Sequence, residues 1–259
     1  MARRARAVLP GLLHQLMVRG NNDQLVFVDD EDRQTWLDLA AREAANFGVD
    51  VHAYVLLPNR LHVLVTPQTA TALSAWMQAV GRRYVLSFNR RHQRRGTLWE
   101  GRFRGGVLQA HRYALACMAY FDGLAVTEGL VRQPEDWLWS SYQHYTGQRL
   151  EKWLRPQDMV WGLGNTPFAR EAAYARLVNA GLSRDLLRAL WDNANHGWPL
   201  GDGAFLRQIA ESTGQRTQRG RAGRPRQAPT AAGTLASELS VPNKFQLLIG
   251  GFKSISDPN

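Results

Sequence analysis

The sequence predicts an α+β fold: a ferredoxin-like antiparallel sheet with helices on one face, followed by a small helical C-terminal extension. Short apolar strand-like runs and apolar stripes of helical period follow one another in the order β-α-β-β-α-β-α. The two central strands are separated only by a short turn at Pro58-Asn59, so they are expected to form an antiparallel hairpin. After residue 131 the pattern weakens and the clear segments are helical.

The N-terminal elements are a strand, a helix and the hairpin. Residues 12–19 form the first strand, which ends at the turn signal Gly20-Asn21-Asn22. The acidic residues 29–32 open the first helix, because negative charge in a first turn opposes the helix dipole. Gly48 is the expected C-cap of that helix. The hairpin strands are then residues 51–57 and 61–65.

The following elements complete the sheet. Residues 72–91 form a long helix with one apolar face, and residues 105–109 form the fourth strand. The third helix is residues 110–124. Helical periodicity returns at residues 168–188 and 188–195, which we assign to the extension.

Composition divides the chain into three parts. Residues 1–147 form the sheet domain, and residues 148–214 form the helical extension. Residues 215–259 form a basic tail, which we predict to be disordered because its first part is rich in Arg, Gly and Pro.

The formal net charge of +10 predicts a polyanionic partner, because the positive residues are clustered. No run of ~20 apolar residues occurs, so no membrane span and no membrane partner are expected. The single cysteine, Cys117, excludes an internal disulfide and a multi-cysteine zinc site. A buried, unreactive Cys117 and a cytoplasmic location are the expectations.

A basic belt lies between Gly81 and Gly106, with one acidic residue, Glu100, inside it. Guanidinium groups pair with phosphates, so this belt is predicted to bind nucleic acid. Interleaved aromatic residues are expected either to stack on unpaired bases or to belong to the core. The belt arginines are Arg82, Arg83, Arg90, Arg91, Arg94, Arg95, Arg102 and Arg104.

A second basic cluster lies in the tail. It contains Gly223-Arg224-Pro225-Arg226, which is similar to the core of an AT-hook. Arg224 and Arg226 are therefore candidate nucleic-acid contacts. The alternative is a basic linker without sequence preference.

Candidate chemistry lies on the second hairpin strand and on the third helix. Side chains alternate along a strand, so Arg60 and His62 share one face. A single histidine there is more often a hydrogen-bonded structural residue than a metal ligand. Tyr120, on the third helix, is either a buried core residue or a nucleophile for a phosphodiester. Spacing alone leaves both roles open.

Several segments together resemble the REP-associated tyrosine transposases, which belong to the HUH single-strand DNA transposases. The resemblance covers roughly residues 1–150, and residues 201–205 and 223–225 extend it more loosely. Trp139-Ser140-Ser141-Tyr142 matches the W-S-S-Y signature of the family. The other similar segments are residues 14–22, 27–33, 52–59 and 95–103.

The resemblance implies cleavage of single-stranded DNA at a palindromic hairpin. In the family a tyrosine attacks the phosphorus, and Mg²⁺ or Mn²⁺ polarises the phosphate. The metal ligands are two histidines spaced by two and an amide one helical turn after the tyrosine. By position, the nucleophile is Tyr120 and one ligand is His62. Arg60 and Leu124 stand where the other two ligands are expected.

These departures predict weak or lost metal-dependent cleavage. Arginine stays protonated and leucine has no lone pair, so neither can ligate a cation. Arg60 could instead take the cation's place and stabilise charge on a phosphate, which would make it a catalytic residue. The divalent metal expected for the family is therefore in doubt for this chain.

Three functions follow as hypotheses. The first is a transposase-like protein that binds single-stranded or hairpin DNA and retains tyrosine-mediated strand cleavage and transfer. The second is a catalytically inactive, domesticated DNA-binding protein. The third is an RNA-binding protein, which we rank last because the strands lack an aromatic-rich RNA-binding motif. The sequence leaves a monomer and a homodimer open, although the long C-terminal extension fits the monomeric members of the family better.

Overall fold

The computed structural model describes residues 8–217 of the chain. Four strands form one antiparallel sheet in the order β2-β3-β1-β4. Its strands are β1, Leu13–Arg19; β2, Val49–Leu57; β3, Arg60–Pro67; and β4, Arg104–Leu108. Only Pro58 and Asn59 separate β2 from β3, which pair as the predicted hairpin. The predicted α+β class and antiparallel sheet are confirmed.

Three long helices accompany the sheet: α1, Asp30–Phe47; α2, Ala72–Arg91; and α3, Ala110–Thr127. The start of α1 follows from its acidic sequence, because the side chain of Asp29 accepts a hydrogen bond from the backbone N–H of Asp32. Gly48 ends α1 in the left-handed conformation, with φ of 63°. Both features confirm the prediction for this helix.

Helices lie on both faces of the sheet. On one face, Trp36 of α1 and Trp76 of α2 share a buried core with Leu61 and Val63 of β3. On the other face, the ring of His62 lies against Phe121 of α3. α1 and α2 thus share one face as predicted, while α3 covers the second, which is also apolar.

The extension is helical, as predicted. The short helix α4, Tyr142–Tyr145, precedes it, and its own helices are α5, Asp158–Trp161; α6, Pro167–Asn179; α7, Arg184–His196; and α8, Gly203–Thr213.

The boundary between α6 and α7 differs from the prediction, which continued the first of these helices to residue 188. Gly181 has φ of 68°, a left-handed conformation that interrupts the helix. The side chain of Ser183 then accepts a hydrogen bond from the backbone N–H of Leu186 and caps α7.

α7 lies against β4 at Gly106. A Cβ atom on Gly106 would approach Asn193 Nδ2 to 2.7 Å, so the glycine permits this close packing. Cys117 is buried, as predicted. In the part of the chain from residue 8 to residue 217, no helix is long and apolar enough to cross a membrane. The tail from residue 218 on, with Arg224 and Arg226, lies outside the described residues.

Candidate functional site

The candidate site lies on the face of β3 that α3 covers. His62 pairs with Met17 of β1 on one side and with Val55 of β2 on the other. Arg60 is the first residue of β3 and pairs with Arg19. Arg60 and His62 therefore project from one face of the sheet, at the end where β3 begins.

His62 is buried between the sheet and α3, with 2% of its surface exposed. Its ring centroid lies 6.0 Å from that of Tyr120, edge to face, and 5.5 Å from that of Phe121. Neither ring nitrogen has a hydrogen-bond partner among the described residues. Burial, together with the charge of Arg60, lowers the pKa of His62 to about 3. The imidazole is therefore neutral at pH 7 and a very weak base.

Tyr120 lies over His62 and is 7% exposed. Burial raises the pKa of its hydroxyl to about 12, and the charge of Arg60 acts in the opposite direction. The hydroxyl therefore carries its proton at neutral pH. The structure places the predicted nucleophile and the predicted histidine together, which sequence spacing alone could not do.

Arg60 connects β3 to the end of α3. Its guanidinium forms an ion pair with Glu128, the residue that caps α3. It also donates a hydrogen bond to Asn59 Oδ1 at 3.2 Å. The side chain is 23% exposed, so the ion pair lies at the rim of the site. A phosphate bound by Arg60 would have to compete with Glu128.

The residues at the family's ligand positions do not fit a divalent cation. Leu124 is buried and apolar, and Arg60 is a cation already paired with a carboxylate. His62 alone offers a lone pair, whereas Mg²⁺ and Mn²⁺ prefer several oxygen ligands. Within residues 8–217, no group of three or more His, Cys, Asp or Glu side chains is placed to hold a metal.

Sequence reasoning missed two buried amides on this face of the sheet. Gln15 of β1 is fully buried, and neither polar atom of its amide has a partner in the described chain. It pairs with Leu64 and Gly106, so it lies diagonal to His62. Asn193 of α7 donates to Val107 O, but its own Oδ1 is likewise unpartnered within residues 8–217. The available signal was a glutamine in the middle of an apolar strand.

Asp122 anchors α3 to the rest of the fold. It accepts a hydrogen bond from the Tyr174 hydroxyl of α6 at 2.5 Å. It also interacts with Ser140 and Ser141, the serines of the W-S-S-Y segment. Burial raises the pKa of Asp122 to about 7, although these hydrogen bonds act in the opposite direction. The segment therefore has a structural contact with the helix that carries Tyr120.

The predicted arginine belt divides into two groups. Some arginines are held by side chains of the protein itself: Arg91 by Asp29, Glu31 and Asp32, Arg83 by Glu43, Arg104 by Glu100, and Arg94 by Gln24. The others are exposed and form no ion pair within the described residues: Arg82, Arg90, Arg95 and Arg102. Phosphate binding by the belt stays a prediction, and this second group offers the free cations for it.

Most belt aromatics belong to the core. Tyr84, Phe88 and Phe103 are buried, which favours the core role over base stacking. Trp99 is only partly buried and packs against the core from its edge. It is therefore the belt aromatic with the most accessible ring.

Fold and site together define a four-stranded α+β protein in which a helix places a tyrosine over a strand histidine. Among solved structures, the chain is similar to a REP-associated tyrosine transposase bound to a REP hairpin: TM-score 0.50, 16% identity, 61% of this chain and 93% of that chain covered. It is also similar to a candidate transposase from Deinococcus radiodurans R1: TM-score 0.33, 22% identity, 44% of this chain and 91% of that chain covered. No protein-family model and no curated protein matches the sequence. The first likeness shows a shared fold.

Proposed function

We propose that this protein is a transposase-like protein that binds hairpin or single-stranded DNA. The observation that carries the proposal is the position of Tyr120 over His62, on a fold shared with a transposase bound to a REP hairpin. The exposed, unpaired arginines of the belt supply positive charge for phosphates. Hairpin DNA is therefore the first partner to test.

Tyrosine-mediated cleavage is the reaction that this site would perform. The Tyr120 oxygen would form a bond to phosphorus while the bond from phosphorus to the 3′ oxygen breaks. The products are a 5′-phosphotyrosine and a 3′-hydroxyl, which takes up the proton lost by the tyrosine. Arg60 is the cationic side chain beside Tyr120 that could stabilise charge on the phosphate.

The electrostatics of the site favour a slow reaction. A hydroxyl with a pKa of about 12 is ionised in only about one molecule in 10⁵ at pH 7. His62, with a pKa of about 3, is too weak a base to remove the proton efficiently. Arg60 is engaged with Glu128, and no described residue supplies the missing metal ligands.

These observations favour a second candidate function, a DNA-binding protein that has lost cleavage. In that case the protein recognises a hairpin with the same surface but leaves the strand intact. Tyr120 then acts only as a core residue of α3, in edge contact with His62.

A cleavage and binding experiment distinguishes the two candidates. The full chain is incubated with a labelled hairpin that carries single-stranded flanks, in Mg²⁺, Mn²⁺ or chelator. Covalent adducts are measured on denaturing gels, and affinity is measured by fluorescence anisotropy. Tyr120→Phe tests the nucleophile, and Tyr113→Phe, on the same helix, is the matched control.

The results separate cleavage from binding. An adduct in wild type that persists in chelator and is lost only in Tyr120→Phe supports metal-independent cleavage. Binding without an adduct, together with a gain of metal-dependent adduct in Arg60→His/Leu124→Asn, supports the inactive binder. Wild-type protein that binds the hairpin no better than duplex DNA of equal length would contradict both candidates.

A further inference from the structure

A groove on the α1–α2 side of the sheet is unexplained by the site around Tyr120. It has a volume of about 880 Å³ and lies between α2 and the loop that precedes β4. Met77 and Val85 line it from α2, and Trp99 and Phe103 line it from the loop. The walls are therefore apolar and partly aromatic. The volume of the groove lies within the range of about 300–1,000 Å³ that is typical of small-ligand sites. We call this feature the α2 groove.

The rim of the α2 groove carries two free cations. Arg82 of α2 and Arg102 of the loop both line it, both are exposed, and neither forms an ion pair within residues 8–217. Their sequence neighbours differ, because Arg83 and Arg104 are paired with glutamates. The groove therefore combines an apolar interior with an unneutralised positive rim.

An exposed apolar side chain and an indole ring also line this groove. Leu86 of α2 is 73% exposed and adds apolar surface at the mouth. Trp99 packs against α2, where its indole nitrogen lies 3.7 Å from the position of a Cβ atom on Gly81. An occupant with a flat apolar face would match these features.

The groove approaches the same end of β3 as the candidate site. Leu61 forms part of the groove, and its two neighbours in β3 are Arg60 and His62. Side chains alternate along the strand, so Leu61 faces the groove while its neighbours face α3. A DNA strand that crosses this end of the sheet could contact both places.

We infer that the α2 groove binds one unpaired nucleobase from a single-stranded DNA segment next to the hairpin. The base inserts into the groove beside Trp99, and Arg82 and Arg102 bind the phosphates on either side of it. The two free cations favour a polyanion over an apolar peptide as the occupant. This inference rests on the proposed DNA-binding function and adds a specific subsite to it.

The test fills the groove without touching the candidate site. Ser74 is an exposed residue of α2 that lines the groove, so Ser74→Trp places a large side chain at its mouth. Ser87→Trp is the matched control, because Ser87 is an exposed residue of the same helix that does not line the groove. Both variants are compared with wild type for binding to a fluorescent hairpin with a short single-stranded flank.

A series of abasic replacements along the flank then locates the bound base. At one flank position, loss of the base should weaken wild-type binding by about 5- to 160-fold, the range for stacking of one base on an aromatic side chain. The same abasic replacement should cause no further loss in Ser74→Trp, because both changes remove one interaction. Ser87→Trp should behave as wild type.

Further variants test the rim. Arg82→Ala and Arg102→Ala should each reduce the salt dependence of binding by about one phosphate contact. Arg176→Ala, an exposed arginine on α6, should leave it unchanged.

Other outcomes would overturn the inference. Wild-type protein that binds the hairpin equally well with every abasic flank has no base in the groove, although hairpin binding itself would stand. A Ser74→Trp variant that changes only the sedimentation of the protein would assign the groove to self-association. Failure of wild type to bind any hairpin would instead contradict the proposed function.

Discussion

Replacement of Asp122 by Asn tests the electrostatics that hold α3 in place. Asp122 is buried, and its pKa is raised from 3.8 to about 7. The folded state therefore binds a proton more tightly than the unfolded state does. The contribution of this group is most favourable below the unfolded pKa and is lost as pH rises from about 4 to about 7.

The size of the effect follows from the shift. A rise of about 3 pKa units, at about 1.4 kcal/mol for each unit, gives an upper bound of about 4 kcal/mol. Relaxation around a buried charge reduces such values, so we expect about 2–4 kcal/mol. Asparagine has the shape of the protonated carboxyl and no charge, and it can still accept the hydrogen bond from Tyr174.

The assay is urea unfolding of wild type and Asp122→Asn at about pH 5 and about pH 8, and the measured quantity is the difference between their free energies of unfolding. The variant should gain stability relative to wild type between the lower and the higher pH, where the wild-type carboxylate is charged. Using this difference removes the contributions of His52, His62 and His144, whose lowered pKa values favour stability at higher pH. Asp136→Asn, at an exposed carboxylate, is the control. An Asp122→Asn variant that is equally destabilised at both pH values would refute the reasoning.

Two further predictions concern packing and charge. Gly106→Ala should lower the free energy of unfolding by about 1–3 kcal/mol, because the new methyl group would meet Asn193 and the backbone of Trp198. Gly123→Ala, where nothing lies within 4 Å of the added atom, should be neutral or stabilising in the same urea titration. Arg91→Ala should lower the melting temperature at neutral pH, because Arg91 pairs with Asp29 and Asp32 at the start of α1. Arg91 lowers the pKa of Asp29 to about 2, so the difference in melting temperature between wild type and Arg91→Ala should shrink as pH falls from about 4 to 2. Thermal melts in which this difference stayed constant in acid would contradict the prediction.

Local patterns predicted the elements of the fold but not how some of them pack. The hairpin around Pro58-Asn59 and the capped start of α1 at Asp29 depend on neighbouring residues, so the sequence was sufficient for both. The side of the sheet that α3 occupies was not predictable, because β3 is apolar on both faces except for Arg60, His62 and Thr66.

Long-range partners explain the rest of the difference. The arginines near Arg91 in the sequence predict that it binds a phosphate. Its carboxylate partners lie at the start of α1, about sixty residues earlier in the chain. The break between α6 and α7 depends on the backbone conformation of Gly181, which apolar periodicity does not report.

Arg60 and Leu124 stand at two positions where metal ligands were expected, and Arg60 has Glu128 as its partner instead. Arg60 of β3 and Glu128 at the end of α3 join these two elements directly. Leu124, one helical turn before Glu128, is buried in the interior of the same helix face. The ion pair thus connects strand and helix, and it leaves Arg60 available to a phosphate only when Glu128 releases it.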